Sequence, residues 1–153
     1  MLEKEVLNFI LQDMPESIIG AMFCFVFLNL RFRWKEIFII AVLLSFANMA
    51  EVMPLAFGIR IIILLVAYAM CIKVFTKKDL SKVFVAVFFF AILSIVGDSL
   101  LGMQLMPVTG LKYLQVYNNP YLRALFSYPT LVVNLVVTYL IFRYKKKKMI
   151  EFE

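Results

Sequence analysis

The sequence predicts an all-α polytopic membrane protein, a helical bundle of five transmembrane helices with its N-terminus outside and its C-terminus cytoplasmic. Three observations predict it. Of the 153 residues 64% are apolar, against roughly 45–50% in an ordinary soluble domain, and they gather in long blocks rather than in helical-period stripes. Blocks such as IFIIAVLLSFANMA and VFVAVFFFAILSIVG lack the apolar/polar alternation of a barrel strand, which leaves helices as the way to pair the backbone in lipid. Twelve of the sixteen basic residues fall in alternate connections, and the positive-inside rule converts that asymmetry into an orientation.

Taken in order, residues 1–12 form an amphipathic segment, with Leu2, Val6, Phe9 and Ile10 at helical spacing, suited to lying in the interface. DMPES then opens the first span, with the Asp13 carboxylate as cap and Glu16 reaching back. The transmembrane domain, 13–142, holds five apolar blocks at 14–30, 37–53, 57–75, 83–103 and 122–142. At 1.5 Å per residue they reach roughly 25 to 32 Å, close to the hydrocarbon thickness. Acidic residues precede the first block and RFRWK follows it, the reverse of a signal peptide, so it is expected to be a retained span. Arg31, Arg33 and Lys35, then Lys73, Lys77, Lys78 and Lys82, then Arg143 and Lys145 to Lys148 define the cytoplasmic side. Lys4, Arg60, Lys112 and Arg123 are left outside. Residues 143–153 form a basic cytoplasmic tail that attracts anionic lipid, so the net charge of +6 calls for the bilayer as partner and for no nucleic acid.

The outer side carries the irregular sequence. Pro15, Pro54, Pro107 and Pro120 lie at outer ends of spans, and the longest connection runs from Gln104 to Tyr121. Tyr113, Tyr117 and Tyr121 recur there at four-residue spacing. They suit a short interfacial helix, serving either as an aromatic anchor or as a lid over a pocket between the spans.

Histidine is absent, which removes the commonest general base and metal ligand. Cys24 and Cys71 stand in separate apolar blocks without CxxC spacing and read as small buried side chains. No catalytic residue, metal or cofactor is predicted, and the chain reads as non-enzymatic. The candidate binding residues form an outer polar cluster of Glu16, Glu51, Arg60, Asp98, Arg123 and Tyr121. Ionisable groups at that depth face a partner or a wet cavity, so the cluster is either an ion-pair network or an outward-opening ligand site. Pro129, inside the fifth span, is the candidate hinge, with Ser127, Thr130 and Asn134 nearby to satisfy what it frees. Ser17, Gly20, Ala21 and Cys24 share one small-residue face, and Ser94, Gly97, Asp98 and Gly102 another. Such faces allow close helix approach or dimerisation.

The acidic start with DMPE, the RFRWK end of the first span, the PLAFGIR turn, Asp98 and NNPYLRALFSYP together resemble the N-terminal transmembrane sensor region of Firmicute GHKL-type histidine kinases, those related to peptide-pheromone and sporulation signalling. The resemblance spans nearly the whole chain. It implies a bacterial plasma-membrane, multi-pass sensor that reads an outside stimulus such as a peptide and passes it to a cytoplasmic dimerisation helix. The partners would then be a second copy or a signalling protein on the cytoplasmic side. After RYKKKKMIEFE there is neither a phospho-accepting histidine nor an ATP-binding domain, so the expectation is a sensor-like module without the kinase, free-standing or truncated. The leading function is therefore a non-enzymatic sensor or interaction module. The alternative is a small transporter or substrate-binding membrane subunit, for which buried charges and a broken helix are also expected.

Overall fold

A computed structural model describes residues 2–49 and 57–148. Among the described residues every regular element is helical, in keeping with the all-α expectation. Three helices are long and apolar enough to cross a membrane, Val6–Phe27, Leu80–Thr109 and Pro120–Lys147, and Ile61–Thr76 is a shorter apolar helix.

The chain begins with α1 (Leu2–Asn8), a π-helical turn over Phe9–Asp13, and α2 (Met14–Phe27) in one unbroken helix. Asp13 does not start the helix as its sequence context suggests. It has helical dihedrals, φ −66° and ψ −41°, and its side chain caps nothing. The reason lies two residues on. Pro15 cannot donate to Leu11 and its ring presses on that carbonyl. The wider π turn, closed by the Met14 N–H on Phe9 O, lets the helix pass the proline intact.

At its far end α2 stops in a Schellman motif. Leu30 N–H donates to Phe25 O at 2.8 Å, Asn29 N–H donates to Val26 O at 3.2 Å, and Asn29 takes the left-handed φ of 59°. Next come α3 (Trp34–Met49), α4 (Phe57–Thr76) and α5 (Leu80–Gly97). A second π turn, Asp98–Gly102, carries α5 into α6 (Met103–Thr109), which ends at the left-handed Gly110. The connection expected from Gln104 to Tyr121 is thus largely helical. It contains the end of α6 and the short helix α7 (Tyr113–Asn118), where Tyr113 and Tyr117 stack at 5.9 Å. Finally, Asn119 Oδ1 accepts from Tyr121 N–H at 3.0 Å and opens α8 (Pro120–Lys147). Tyr121 therefore belongs to α8, apart from the other two tyrosines.

α2 lies at the centre, packed against α3, α5 and α8, while α4 closes the bundle against α3 and α5. Phe25, Ile40, Leu44, Ile72 and Val83 are fully enclosed. Phe38, Phe46, Phe88, Val136 and Leu140 face outward, whereas Ser17, Ser45, Thr130, Asn134 and Thr138 are buried. Apolar surface outside and polar groups inside is the arrangement a hydrocarbon solvent demands.

Both small-residue faces are used within the chain. A Cβ on Gly20 would come within 2.7 Å of the Phe90 ring, and one on Gly97 within 2.6 Å of Thr130 Cγ2. Gly102, where the nearest atom would be Phe126 O at 3.4 Å, has more room. Gly97→Ala is expected to lower stability by about 1–3 kcal/mol through overpacking, and Gly102→Ala by clearly less. Thermal unfolding of the two variants in detergent checks the order, and equal losses would contradict the close α5–α8 approach.

Candidate functional site

Four helices line an open cavity of about 200 Å³. Glu16 enters from α2, Asn48 from α3, Ile61, Leu64, Leu65 and Tyr68 from α4, and Phe90, Ser94, Ile95 and Asp98 are among the residues contributed by α5 and the turn after it. The α4 residues recur at three- and four-residue intervals, the spacing of one helix face. Behind them a polar chain ties three helices. Tyr68 OH lies 3.2 Å from Ser17 Oγ, Ser45 Oγ lies 3.3 Å from the same oxygen, and Ser45 donates to Ala41 O at 2.8 Å. Asn48 stands beside the Tyr68 hydroxyl. Each such bond is worth about 1 kcal/mol net, and each unmade one about 1–3 kcal/mol.

On its α5 side the site adjoins a polar seam with α8. Asn134 Nδ2 donates to Ser94 Oγ at 2.9 Å, and Thr138 Oγ1 donates to Asn134 O at 2.7 Å. One turn along from Ser94 and Asn134, the Asp98 carboxylate approaches the Thr130 hydroxyl. α8 runs without a break through Pro129. Of the residues expected to satisfy what Pro129 frees, Ser127 bonds Ala124 O at 2.9 Å and Asn134 reaches Ser94, so neither serves the Leu125 carbonyl that proline leaves open.

The C-terminal end of α8 makes the other distinctive contact. Lys145 Nζ donates to Val26 O at 3.0 Å, to Phe27 O at 2.7 Å and to Asn29 Oδ1 at 2.7 Å. It also lies 5.5 Å from the centre of the Phe27 ring. An ammonium on the last carbonyls of α2 meets the negative end of the helix dipole and supplies the donors that the helix end lacks. This residue reads in the sequence only as one of a run of lysines. No local signal singles it out, because the partner carbonyls are more than a hundred positions away.

The sequence-predicted residues divide. Glu16 and Asp98 line the same cavity. Arg123 is elsewhere, its guanidinium 5.1 Å above the Tyr117 ring, and Tyr121 is exposed, so neither lines the cavity. Glu51 lies outside the described residues. So does the Arg60 side chain, although the backbone of Arg60 is in the first turn of α4. Asn48, Tyr68 and the Ser17–Ser45 pair are additions. Their signal is polar residues standing alone in apolar blocks at helical spacing, as Ser45 and Asn48 do.

No family model, curated protein or solved structure matches the chain. Fold and site together define its class as an all-helical protein with helices that fit a membrane. Lys145→Met is expected to cost about 1–3 kcal/mol by stripping donors from three acceptors, whereas Lys147→Met, on an exposed position of the same helix, should be nearly neutral. Unfolding midpoints in detergent compare the two, and equal effects would remove the special role of Lys145.

Proposed function

We propose that the chain is a multi-pass plasma-membrane protein of five spans, N-terminus outside and C-terminus cytoplasmic, that acts as a non-enzymatic sensor or interaction module. One observation carries the reading. α8 is a single helix that touches the candidate site at Ser94 and Asp98 and grips the end of α2 through Lys145. A ligand that favours one arrangement of α5 and α8 would shift that grip, because differential contact is what moves a two-state equilibrium. Pro129, one residue before Thr130, is the natural place for α8 to flex where it meets α5.

Charge supports the orientation. Arg31, Arg33 and Lys78 border one cleft, Lys78 and Lys82 border another beside Asn29, and Lys145 reaches Asn29, so the basic turns gather at one end of the bundle. The spans containing α3 and α4 complete the five, their apolar sequence continuing at 37–53 and 57–75. A cavity of about 200 Å³ with a mainly apolar wall and a few polar groups suits a small amphipathic molecule or one side chain of a peptide. The resemblance to kinase sensor regions agrees with this reading and adds a dimerising or signalling partner on the cytoplasmic side. A small transporter or substrate-binding subunit is the second reading, favoured by the π turn that interrupts the α5–α6 helix at Asp98.

Topology is tested by single-cysteine variants at Lys4 and Lys147 in a background lacking Cys24 and Cys71. Position 4 is expected to label from outside and position 147 only from the cytoplasm. For function, a histidine-kinase catalytic domain is fused after Glu153 and the fusion reconstituted in vesicles. Tyr68→Phe, Pro129→Ala and Lys145→Met are each expected to change basal autophosphorylation about threefold or more by shifting the resting population. Unchanged activity in all three, with folding intact, would reject the sensor reading.

A further inference from the structure

The α5–α8 seam holds more oxygen than its own hydrogen bonds use. The two helices run antiparallel in a register that sets Ser94 against Asn134, Asp98 against Thr130 and Gly102 against Phe126, in steps of one turn. Asn134 is 0% exposed and Thr130 4%. Because Asn134 Nδ2 is committed to Ser94 Oγ at 2.9 Å, its amide oxygen is the open atom. Among the described residues Asn134 Oδ1 has no hydrogen-bond partner, and the Thr130 hydroxyl meets the approaching Asp98 carboxylate without a hydrogen bond of full geometry. Gly97 lets α5 sit against Thr130, since an added Cβ would lie 2.6 Å from its Cγ2 and 3.4 Å from its Oγ1. Asp98 is exposed at the rim of this group and also lines the cavity.

A buried acceptor without a donor is unfavourable, and hydrocarbon cannot supply the missing group. An amide oxygen only accepts, so what belongs there is a donor or a cation. The oxygen set is one carboxylate, Asp98, with three neutral atoms, Ser94 Oγ, Thr130 Oγ1 and Asn134 Oδ1. One carboxylate balances one positive charge. Divalent ions take several anionic oxygens or keep their water, and no cluster of three or more His, Cys, Asp or Glu exists among the described residues. Hard oxygen ligands without sulfur or imidazole also disfavour transition metals.

We propose that Asp98, Thr130, Asn134 and Ser94 form a binding site for a monovalent alkali cation between α5 and α8. The site deepens the recognition reading, on which it rests, by naming the chemistry taken up at the Asp98 end of the cavity. The bound ion draws Asp98 toward α8 and engages the unused lone pair of Asn134 Oδ1, adding to the single Asn134–Ser94 bond a second tie between the two helices.

The test uses the full chain in detergent, unfolded in sodium chloride, potassium chloride or N-methylglucamine chloride at one ionic strength. Sodium or potassium is expected to raise the midpoint saturably by about 3 °C or more, with no rise in the organic cation. Asp98→Asn and the near-isosteric Thr130→Val should each weaken the apparent alkali-ion affinity about tenfold or more. In alkali-free buffer Thr130→Val should lose little stability, since the buried hydroxyl makes no hydrogen bond of full geometry. Equal midpoints in all three salts would overturn the proposal, as would an alkali-ion rise that survives both substitutions. Ion binding that persists while the kinase fusion stays silent to every cavity variant would overturn the sensor reading alone, and a responsive fusion without ion binding would overturn the cation site alone.

Discussion

The seam between α8 and its neighbours is the interaction on which the rest of the bundle depends. Lipid cannot hydrogen-bond, so each polar side chain inside the helical layer must find its partner on another helix or on its own backbone. Thr130, Asn134 and Thr138 recur every fourth residue along α8 and are all buried. They present a polar stripe, continued at the helix end by Lys145, to the side of the bundle formed by α5 and α2. Partners that match in register fix how far α8 can slide. A shift of one turn would take Asn134 from Ser94 and Lys145 from the carbonyls of α2 together.

Close approach is the second requirement, and glycine meets it at two crossings. Gly20 admits the Phe90 ring between α2 and α5, and Gly97 admits Thr130 between α5 and α8. A side chain at either point would hold the helices apart and strand the polar stripe. The π turns serve the same geometry. The first carries the N-terminal helix past Pro15, and the second lies where Asp98 meets α8.

α8 meets the α5 wall of the cavity near its middle, at Thr130 and Asn134, and grips α2 near its C-terminal end through Lys145, and this separation links recognition to output in physical terms. Rigid helices transmit displacement along their length, whereas the turns between them do not. Beyond its own Schellman turn, α2 is capped by an amine from α8, so its end responds to the position of α8. The Schellman motif at Asn29 presents the carbonyls of Val26 and Phe27 to that amine. Few buried groups need to change partner for the two helices to part at this end, because the surrounding contacts are apolar and non-directional.

Composition alone determined the helical class and the fit to a membrane, since 64% apolar residues in unbroken blocks leave no other way to satisfy the backbone. The block at 57–75 matches α4 within a residue, for its ends are marked by charge and turn residues that act locally. Local signals also placed Glu16 and Asp98 as site candidates, because a charge inside an apolar block is conspicuous. Tertiary structure decided the rest. Asp13 reads as a cap yet is helical, because a π turn absorbs Pro15 and packing against α3 and α8 carries the helix on. Arg123 and Tyr121 read as members of the cluster, yet one lies over Tyr117 and the other is exposed, since their direction depends on how α7 turns into α8. Lys145 resembles its neighbours in sequence, and Tyr68 and Asn48 stand out only as polar groups in apolar blocks. Their roles exist only where distant carbonyls and hydroxyls converge, and that convergence is set by helix crossing and register, which periodicity within one helix does not encode.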